Sequence, residues 1–257
     1  MSNLKSKMSE KLQTPVSETT APIIALNQPT LDDLPSSNFI ALKNNALEII
    51  SDNLKNQPLT HQLFDVVKSP SGGATVFAIP GLSGEEAAKE ITGIILDYKT
   101  PRAYWDTPDP IEGTPPVCFS RDSIVSHDGK TCAECVYNDF GSKDGDSNAK
   151  ACKESVEILL LRPDNIMPII VRVPVSSKLL FLKYATRLIG QMIPISGVAT
   201  RITLEKATSK GGKPYALFNF EAVAILTSEE AAAAKLFGQK FVELLDASEV
   251  ELEANNA

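Results

Sequence analysis

Four cysteines constrain this chain more than any other feature of its sequence. They are Cys118, Cys132, Cys135 and Cys152, with the spacing C-x13-C-x2-C-x16-C. A C-x2-C turn directs two thiolates toward one metal ion, and two further cysteines complete the tetrahedral set of a closed structural site. The segment between the outer cysteines is polar and rich in turn formers, so metal binding would supply its folding energy. The spacing predicts one structural Zn²⁺ bound by these four thiolates.

Other uses of the cysteines stay open at this stage. Four unconnected cysteines, a redox role or an iron–sulfur cluster are the alternatives, and His127 could replace one thiolate as a ligand. The first residues contain no apolar secretory region, and no apolar run reaches the roughly 20 residues of a membrane helix. The predicted compartment is therefore the cytoplasm, where thiols stay reduced and disulfides are disfavoured. No membrane partner is expected.

Charge is unevenly distributed along the chain. The net charge is −7, which by itself argues against nucleic acid as a partner. From Glu229 onward, seven acidic residues face two basic ones, whereas Lys99 to Lys213 contains 16 basic and 13 acidic residues. The sequence thus combines a mildly basic middle with an acidic end. An ordinary acidic protein with a solvated last helix is the simplest alternative.

Hydrophobic periodicity predicts a mainly β fold. Strand patterns occupy 74–80, 91–98, 156–161, 167–173, 198–205 and 215–225, with Gly93 as a candidate bulge or bend. Helical patterns occupy 38–56, a segment capped by Ser176 or Ser177 and ended by Gly190, and a last segment from Thr227 or Ser228 through Leu245. A short turn of helix is expected at Ser83–Glu86.

These elements suggest four segments. We expect a disordered segment at 1–36, a helical extension at 37–70, a barrel at 71–228 with the zinc-binding insertion at 118–152, and a C-terminal helix with an acidic tail at 229–257. A five- to six-stranded barrel with one helix between strands three and four fits the order of elements. That is the oligonucleotide/oligosaccharide-binding (OB) layout, although a β-sandwich or an α+β sheet fits the order nearly as well.

Aromatic and basic residues alternate in the middle of the chain, as expected where single-stranded nucleic acid stacks its bases and pairs its phosphates. In the predicted barrel, one group lies near strand two and the loop after it, and the other lies on the last hairpin. The candidate contacts are Tyr98, Lys99, Arg102, Tyr104, Trp105, Arg121, Tyr137, Phe140, Lys143, Lys210, Lys213 and Tyr215. For Trp105, a buried core position is the competing interpretation.

With these features, the chain from Ala74 to Ala257 resembles the zinc-containing OB-fold single-stranded DNA-binding proteins of phages and mobile elements. It is also similar to the zinc-bearing OB domain of the eukaryotic replication protein. The resemblance implies zinc ligation by the four cysteines, a bacterial or phage-infected host cell, and recruitment of replication or recombination proteins by the acidic end around Asp246, Glu249, Glu251 and Glu253.

The sequence favours a non-catalytic function. It contains no phosphate-binding G-x-x-x-x-G-K-[ST] loop, no H-E-x-x-H motif and no G-x-S-x-G motif. The expected function is binding of single-stranded DNA, without strong sequence preference, in replication or recombination. The alternative is a zinc-ribbon module that binds proteins or has a structural role without nucleic acid.

Overall fold

Most of the described strands form one curled, half-barrel sheet, and two others form a separate hairpin, in a mainly β protein. The computed structural model describes residues 39–43, 46–55, 57–107, 114–143, 148–209 and 211–255, with side chains through Leu245. The ten strands are β1 Val66–Val67, β2 Phe77–Gly81, β3 Gly84–Ala88, β4 Glu90–Lys99, β5 Arg102–Tyr104, β6 Cys118–Ser120, β7 Lys153–Leu161, β8 Ile169–Pro174, β9 Val198–Thr208 and β10 Pro214–Ile225. The helices are α1 Ile40–Lys43, α2 Ala46–Leu54, α3 Val175–Gly190 and α4 Ser228–Asn255.

Strand β4 is the centre of the sheet. The order is β1-β8-β7-β4-β9-β10, and all pairs are antiparallel except β1 with β8. The first half of β4, from Glu90 to Ile94, pairs with β9, whereas Ile94 to Lys99 pairs with β7. A register shift lies between Ile95 and Asp97. Because the bulged strand changes partner along its length, the sheet bends around it.

The concave side of the sheet is closed by α3. Its buried residues Phe181, Tyr184 and Leu188 pack in one apolar cluster with alternate residues of the strands, such as Ile158 and Leu160 of β7. The hydroxyl of Ser177 accepts a hydrogen bond from the backbone N–H of Phe218 at 3.0 Å, which fixes α3 against β10. We call the sheet face toward α3 the inner face.

The opposite, outer face of the same sheet is covered by α4 and by the segment before β1. Leu159 and Leu161 alternate with the inner residues of β7 and join a second cluster with Phe237, Phe241 and Leu245 of α4. Helices α1 and α2 and the residues after them complete this cluster, and the ring of Phe64 meets that of Phe241 edge-on at 6.0 Å.

Several local expectations change in the structure. Ser83–Glu86 does not form a helical turn, because residues 84–88 form β3 in a hairpin with β2. The bulge of β4 lies after Ile95 and not at Gly93. Helix α3 begins at Val175, so Ser176 and Ser177 lie inside it and do not cap it.

The start of α4 agrees with its sequence signal. The hydroxyl of Thr227 accepts the backbone N–H of Glu230 at 3.3 Å, and the Glu230 carboxylate accepts the N–H of Thr227 at 3.1 Å. This reciprocal pair is a capping box. The predicted disordered segment, 1–36, lies outside the described residues. Among the helices that are described, none has the length and apolar composition needed to cross a membrane.

Candidate functional site

The segment from Cys118 to Cys152 is an insertion that leaves the sheet after β5 and β6 and returns into β7. Neither apolar cluster of the described residues includes a member between Tyr98 and Val156. The insertion has little regular structure, with one bridge between Val125 and Thr131 and two short 3₁₀ turns, Cys132–Glu134 and Val136–Asn138. The conformation of the insertion therefore depends on polar contacts and on any ligand of the four cysteines.

All four cysteines line one cavity of about 570 Å³, and each carries a free thiol. Burial raises the pKa of the Cys118 thiol, and the carboxylate of Asp128 and the neighbouring thiols of Cys135 and Cys132 raise it further. Burial also raises the pKa of Cys152; the other three cysteines act in the same direction, and only Arg102 opposes them. A divalent cation would remove this mutual repulsion of thiolates, so the residues present fit a structural zinc ion.

A tighter group of possible ligands lies on one side of this cavity. The ligand atoms of Cys118, His127 and Asp128 lie within 4.8 Å of one another, and Cys132, Cys135 and Cys152 do not belong to that group. The His127 ring is stacked on Phe119, with the centroids 4.7 Å apart and the planes at 8°. His127 is thus held beside Cys118, where it could replace one thiolate.

Asp128 is already engaged with neighbours on its own turn. Hydrogen bonds from Lys130, the larger effect, and from Ser126 lower the pKa of the Asp128 carboxyl to about 2. Asp128 is therefore an ionised carboxylate that already has two partners on its own turn, Lys130 and Ser126. The described residues thus offer two candidate ligand sets, the four cysteines that line the cavity and the closer group of Cys118, His127 and Asp128.

Asn138 is a residue of the site that the sequence did not single out. Its amide donates to the Cys132 carbonyl at 2.9 Å, and its side-chain oxygen accepts from Arg102 and, at 3.0 Å, from Lys150. One short side chain thus connects the C-x2-C turn to β5 and to the end of the insertion. An asparagine within a turn-rich segment carries no pattern that could have indicated this role.

Arg102, a predicted DNA contact, lies inside the base of the insertion. Its guanidinium forms an ion pair with Glu154 at 3.1 Å, and the side chains of both residues are 13% exposed. Glu154 also binds Lys178 of α3. Arg102 therefore joins the insertion to β7 and, through Glu154, to α3, and its charge is already used within the protein.

Two tyrosines predicted as DNA contacts are stacked on each other. The rings of Tyr104 and Tyr137 have centroids 3.9 Å apart and planes 13° from parallel. Tyr104 lies opposite Cys118 in the β5–β6 pair, and the carbonyl of Tyr137 accepts the N–H of Cys152 at 2.8 Å. The backbone of each tyrosine thus pairs with the backbone of a cysteine. Tyr137 remains 41% exposed.

Two further aromatic residues each lie beneath a lysine. The Phe140 ring is 74% exposed, with the ammonium group of Lys150 at 4.6 Å from its centroid. The ammonium group of Lys153 lies 5.9 Å from the centroid of the Trp105 ring, and the indole N–H donates to the Thr114 carbonyl at 3.0 Å. Trp105 is half-buried and does not belong to either core cluster. Each pair places an aromatic face and a positive charge together, the two groups that a nucleotide requires.

The remaining candidates are dispersed. Tyr98 faces the inner cluster and meets Phe181 edge-on at 4.8 Å, so its ring is not available to stack a base. Lys99 lies at the end of β4, and Arg121 and Lys143 are exposed on the insertion. Lys213 and Tyr215 lie near the β9–β10 turn. This turn is beyond the N-terminal end of β4, whereas the insertion lies at the C-terminal end of β4. Lys210 is outside the described residues.

Comparison of the chain with models of protein families, with curated proteins and with solved structures found no match. Its function is therefore inferred from its own residues. The structure brings together Tyr104, Trp105, Tyr137, Phe140 and the two lysines, Lys150 and Lys153, around the cysteine insertion. We call these six residues the insertion platform.

Proposed function

We propose that this protein binds single-stranded DNA, without strong sequence preference, through the insertion platform. The strand order β8-β7-β4-β9-β10 supports an OB-type barrel, because it corresponds to barrel strands 3-2-1-4-5 with α3 between the third and the fourth. The barrel is open between β8 and β10, where α3 packs. An OB barrel binds oligonucleotides on strands two and three and with the loops between strands one and two and between four and five.

The cysteine insertion occupies the first of those two loops, between β4 and β7. The second is the turn between β9 and β10, which carries Lys213 and is followed by Tyr215. In our proposal, a zinc ion bound by Cys118, Cys132, Cys135 and Cys152 stabilises the insertion. The metal has no catalytic role there. It holds the backbone next to Tyr104 and Tyr137 in one conformation.

The observation that carries the proposal is the placement of aromatic rings beside lysines on the insertion platform: the exposed Phe140 lies beneath Lys150, and the half-buried Trp105 lies beneath Lys153. A base stacked on an aromatic side chain contributes about 1–3 kcal/mol, and any base can stack because each has a π-face. Lys150 and Lys153 lie close enough to these rings to meet the phosphates of stacked nucleotides. This arrangement supports binding by shape and charge, with little discrimination among sequences.

Helix α4 limits the path that a bound DNA strand could follow on the protein. It covers the outer face of β7 and β8, the second and third barrel strands, with Phe237, Phe241 and Leu245 packed on Leu159 and Leu161. While α4 is docked, DNA cannot lie across the middle of that face. We therefore propose that the single-stranded DNA lies along the insertion.

The test is a fluorescence-anisotropy titration of labelled poly-dT at several salt concentrations, with duplex as competitor and Trp105 emission recorded in parallel. We expect salt-sensitive binding to the single strand. Phe140→Leu, which keeps an apolar group but removes the π-face, should weaken binding by about 5- to 150-fold, the equivalent of one stacked base. Phe140→Trp is the matched control and should bind as the unaltered protein does. Absence of binding even at low salt would overturn the proposal.

A second candidate function is a protein-binding module, and one observation favours it. The insertion also exposes aliphatic side chains, which do not stack bases: Val117 at 56%, Ile124 at 63% and Val136 at 67%. Apolar side chains of this kind are typical of the centre of a protein interface. The same two variants separate the two functions. Capture of a protein partner in a pull-down would tolerate Phe140→Leu and would be disrupted by Ile124→Asp, whereas binding of poly-dT would show the reverse.

A further inference from the structure

Helix α3 has two apolar faces, of which the fold uses one. Ser177, Phe181, Tyr184 and Leu188 point into the inner cluster. On the opposite side, a second row recurs at intervals of four and three residues, which places it along one line of the helix. We call this row the α3 outer stripe; its exposed apolar members are Val175, Leu179 and Ile189, whereas Thr186 is polar and Leu182, at its edge, packs against the inner cluster.

The α3 outer stripe is open to solvent. Val175 is 59% exposed, Leu179 62% and Ile189 71%, and Leu182 is half-buried. Over 14 residues the row extends for about 20 Å, four turns of helix. A helix that is apolar on both sides is normally enclosed by other structure, and scattered exposed leucines would not repeat at this spacing. The stripe therefore has the form of a helix-packing surface.

The charged residues of α3 itself are all basic. Helix α3 contains Lys178, Lys183 and Arg187 and no acidic residue. Lys178 is bound to Glu154, while Lys183 and Arg187 are exposed and form no ion pair with any residue that the structure describes. Two α3 helices packed against each other would bring like charges together without compensation, so a symmetric α3–α3 contact is disfavoured. The occupant of the stripe must be acidic.

The chain itself contains a helix with the complementary charge. From Asp246 to Ala257 there are four acidic residues and no basic one, and α4 continues to Asn255. The body of α4 is fixed to the outer face by Phe237, Phe241 and Leu245. Beyond Leu245, ten residues of helix extend for about 15 Å. This acidic end is thus carried by a helix packed on the side of the sheet opposite to α3.

We propose that the α3 outer stripe of one molecule binds the acidic end of α4 from a second copy of this chain. The contact joins two different surfaces, so each molecule keeps one free stripe and one free acidic end. Self-association can therefore continue from molecule to molecule until a ring or a reciprocal dimer closes it. It is driven by apolar packing and by opposite charges, so salt weakens it. It goes beyond the proposed DNA binding and is tested without DNA.

The experiment is sedimentation-velocity ultracentrifugation of the full chain over a range of protein and salt concentrations. We expect species larger than the monomer that grow with protein concentration and shrink with salt. Two variants should each be monomeric: Leu179→Lys with Ile189→Lys, which removes the stripe, and a truncation after Leu245, which removes the acidic end. Leu82→Lys, at a fully exposed leucine in the β2–β3 turn, is the matched control and should associate as the unaltered protein does.

Mixing the two monomeric variants gives the decisive result. One keeps the acidic end and the other keeps the stripe, so a head-to-tail contact predicts a heterodimer that grows no further. Three outcomes would overturn the proposal. They are a monomeric full chain at all concentrations, a truncated protein that still associates, and a mixture that stays monomeric. If the full chain is monomeric and the double lysine variant lowers its thermal stability, the stripe is covered by a segment of the same chain and not by a second copy.

Discussion

Gly93 and Leu161 approach each other so closely across the β4–β7 pair that a side chain at position 93 has no space. A Cβ atom built on Gly93 would lie 2.5 Å from the carbonyl oxygen of Leu161 and 2.8 Å from Cγ of Leu160. Real Cβ atoms do not approach backbone oxygen at such a distance. Gly93 also directly precedes Ile94, the residue at which β4 passes from pairing with β9 to pairing with β7. The glycine therefore allows the central strand to cross close to its neighbour.

Gly93→Ala should destabilise the protein strongly, by roughly 3 kcal/mol or more, because the strands must separate to admit one methyl group. The measurement is urea unfolding followed by circular dichroism. Gly190→Ala is the matched control, since a Cβ there would have no neighbour within 4 Å. We expect that control to be neutral or slightly stabilising. Equal stability of the two variants would contradict the close approach at Gly93.

Arg102→Met should lower stability without altering the salt dependence of DNA binding. The variant keeps an apolar stem but removes the guanidinium, which leaves Glu154 with Lys178 alone; we expect a loss of about 1–3 kcal/mol. Lys143→Met, at an exposed position, is the comparison and should leave stability unchanged. If Arg102→Met makes DNA affinity less dependent on salt and leaves stability unchanged, Arg102 instead contacts a DNA phosphate.

Zinc binding should depend on the four cysteines and not on His127. Metal analysis of the purified protein should give one zinc per chain, and Cys135→Ser or Cys152→Ser should lose it. His127→Ala should retain the metal, with an unchanged thiolate absorption after substitution by Co²⁺. If His127→Ala loses the metal while Cys152→Ser keeps it, the ligands are instead the group of Cys118, His127 and Asp128.

Tyr184 should make the protein sensitive to alkali. Burial raises its pKa to about 12, while its hydroxyl lies 2.7 Å from that of Thr200. Because the folded pKa lies above the ordinary value of 10.0, the neutral phenol contributes fully below pH 10, and this stability is lost as pH rises toward 12. The loss should be on the order of 2 kcal/mol by pH 12.

Tyr184→Phe is the test of that prediction. At neutral pH it should cost about 1 kcal/mol, because the buried Thr200 hydroxyl loses its partner. Above pH 10 the variant cannot ionise at this position, so the difference in unfolding free energy between the two proteins should shrink and then reverse. A difference that stays constant from pH 8 to 12 would contradict the assigned pKa.

The main β pattern was predictable because its signals are local. Alternation in residues 198–205 and 215–225 corresponds to β9 and β10, and the Thr227–Glu230 capping box marks the start of α4. The β2–β3 hairpin was missed because Gly84, Glu85 and Glu86 lack the apolar alternation of a strand. The function of Ser177 could not be predicted either, since its partner, Phe218, is 41 residues away.

The candidate site was partly predictable. The cysteine spacing predicts one metal shared by four thiols; all four line one cavity, while the ligand atoms that lie within 4.8 Å of one another are those of Cys118, His127 and Asp128, so ligation by the four cysteines stays a prediction. Interleaved aromatic and basic residues did not reveal which of them face solvent. Arg102 and Tyr98 satisfy the same pattern as Phe140, yet one is in an ion pair and the other in the inner cluster. Whether a charge is free depends on its partners in space, such as Glu154, and the order of residues does not encode them.

The two-sided burial of the sheet has a consequence for the order of folding during synthesis. The inner cluster is built from residues 67–225, and all of them have been made before α4. The outer cluster joins Phe39 and Phe64 to Phe237 and Phe241, so it closes only when α4 has left the ribosome. A nascent chain that pauses before α4 would hold a finished inner cluster while the outer face of its sheet stays uncovered. Such an intermediate is prone to aggregate, and chaperones would recognise it.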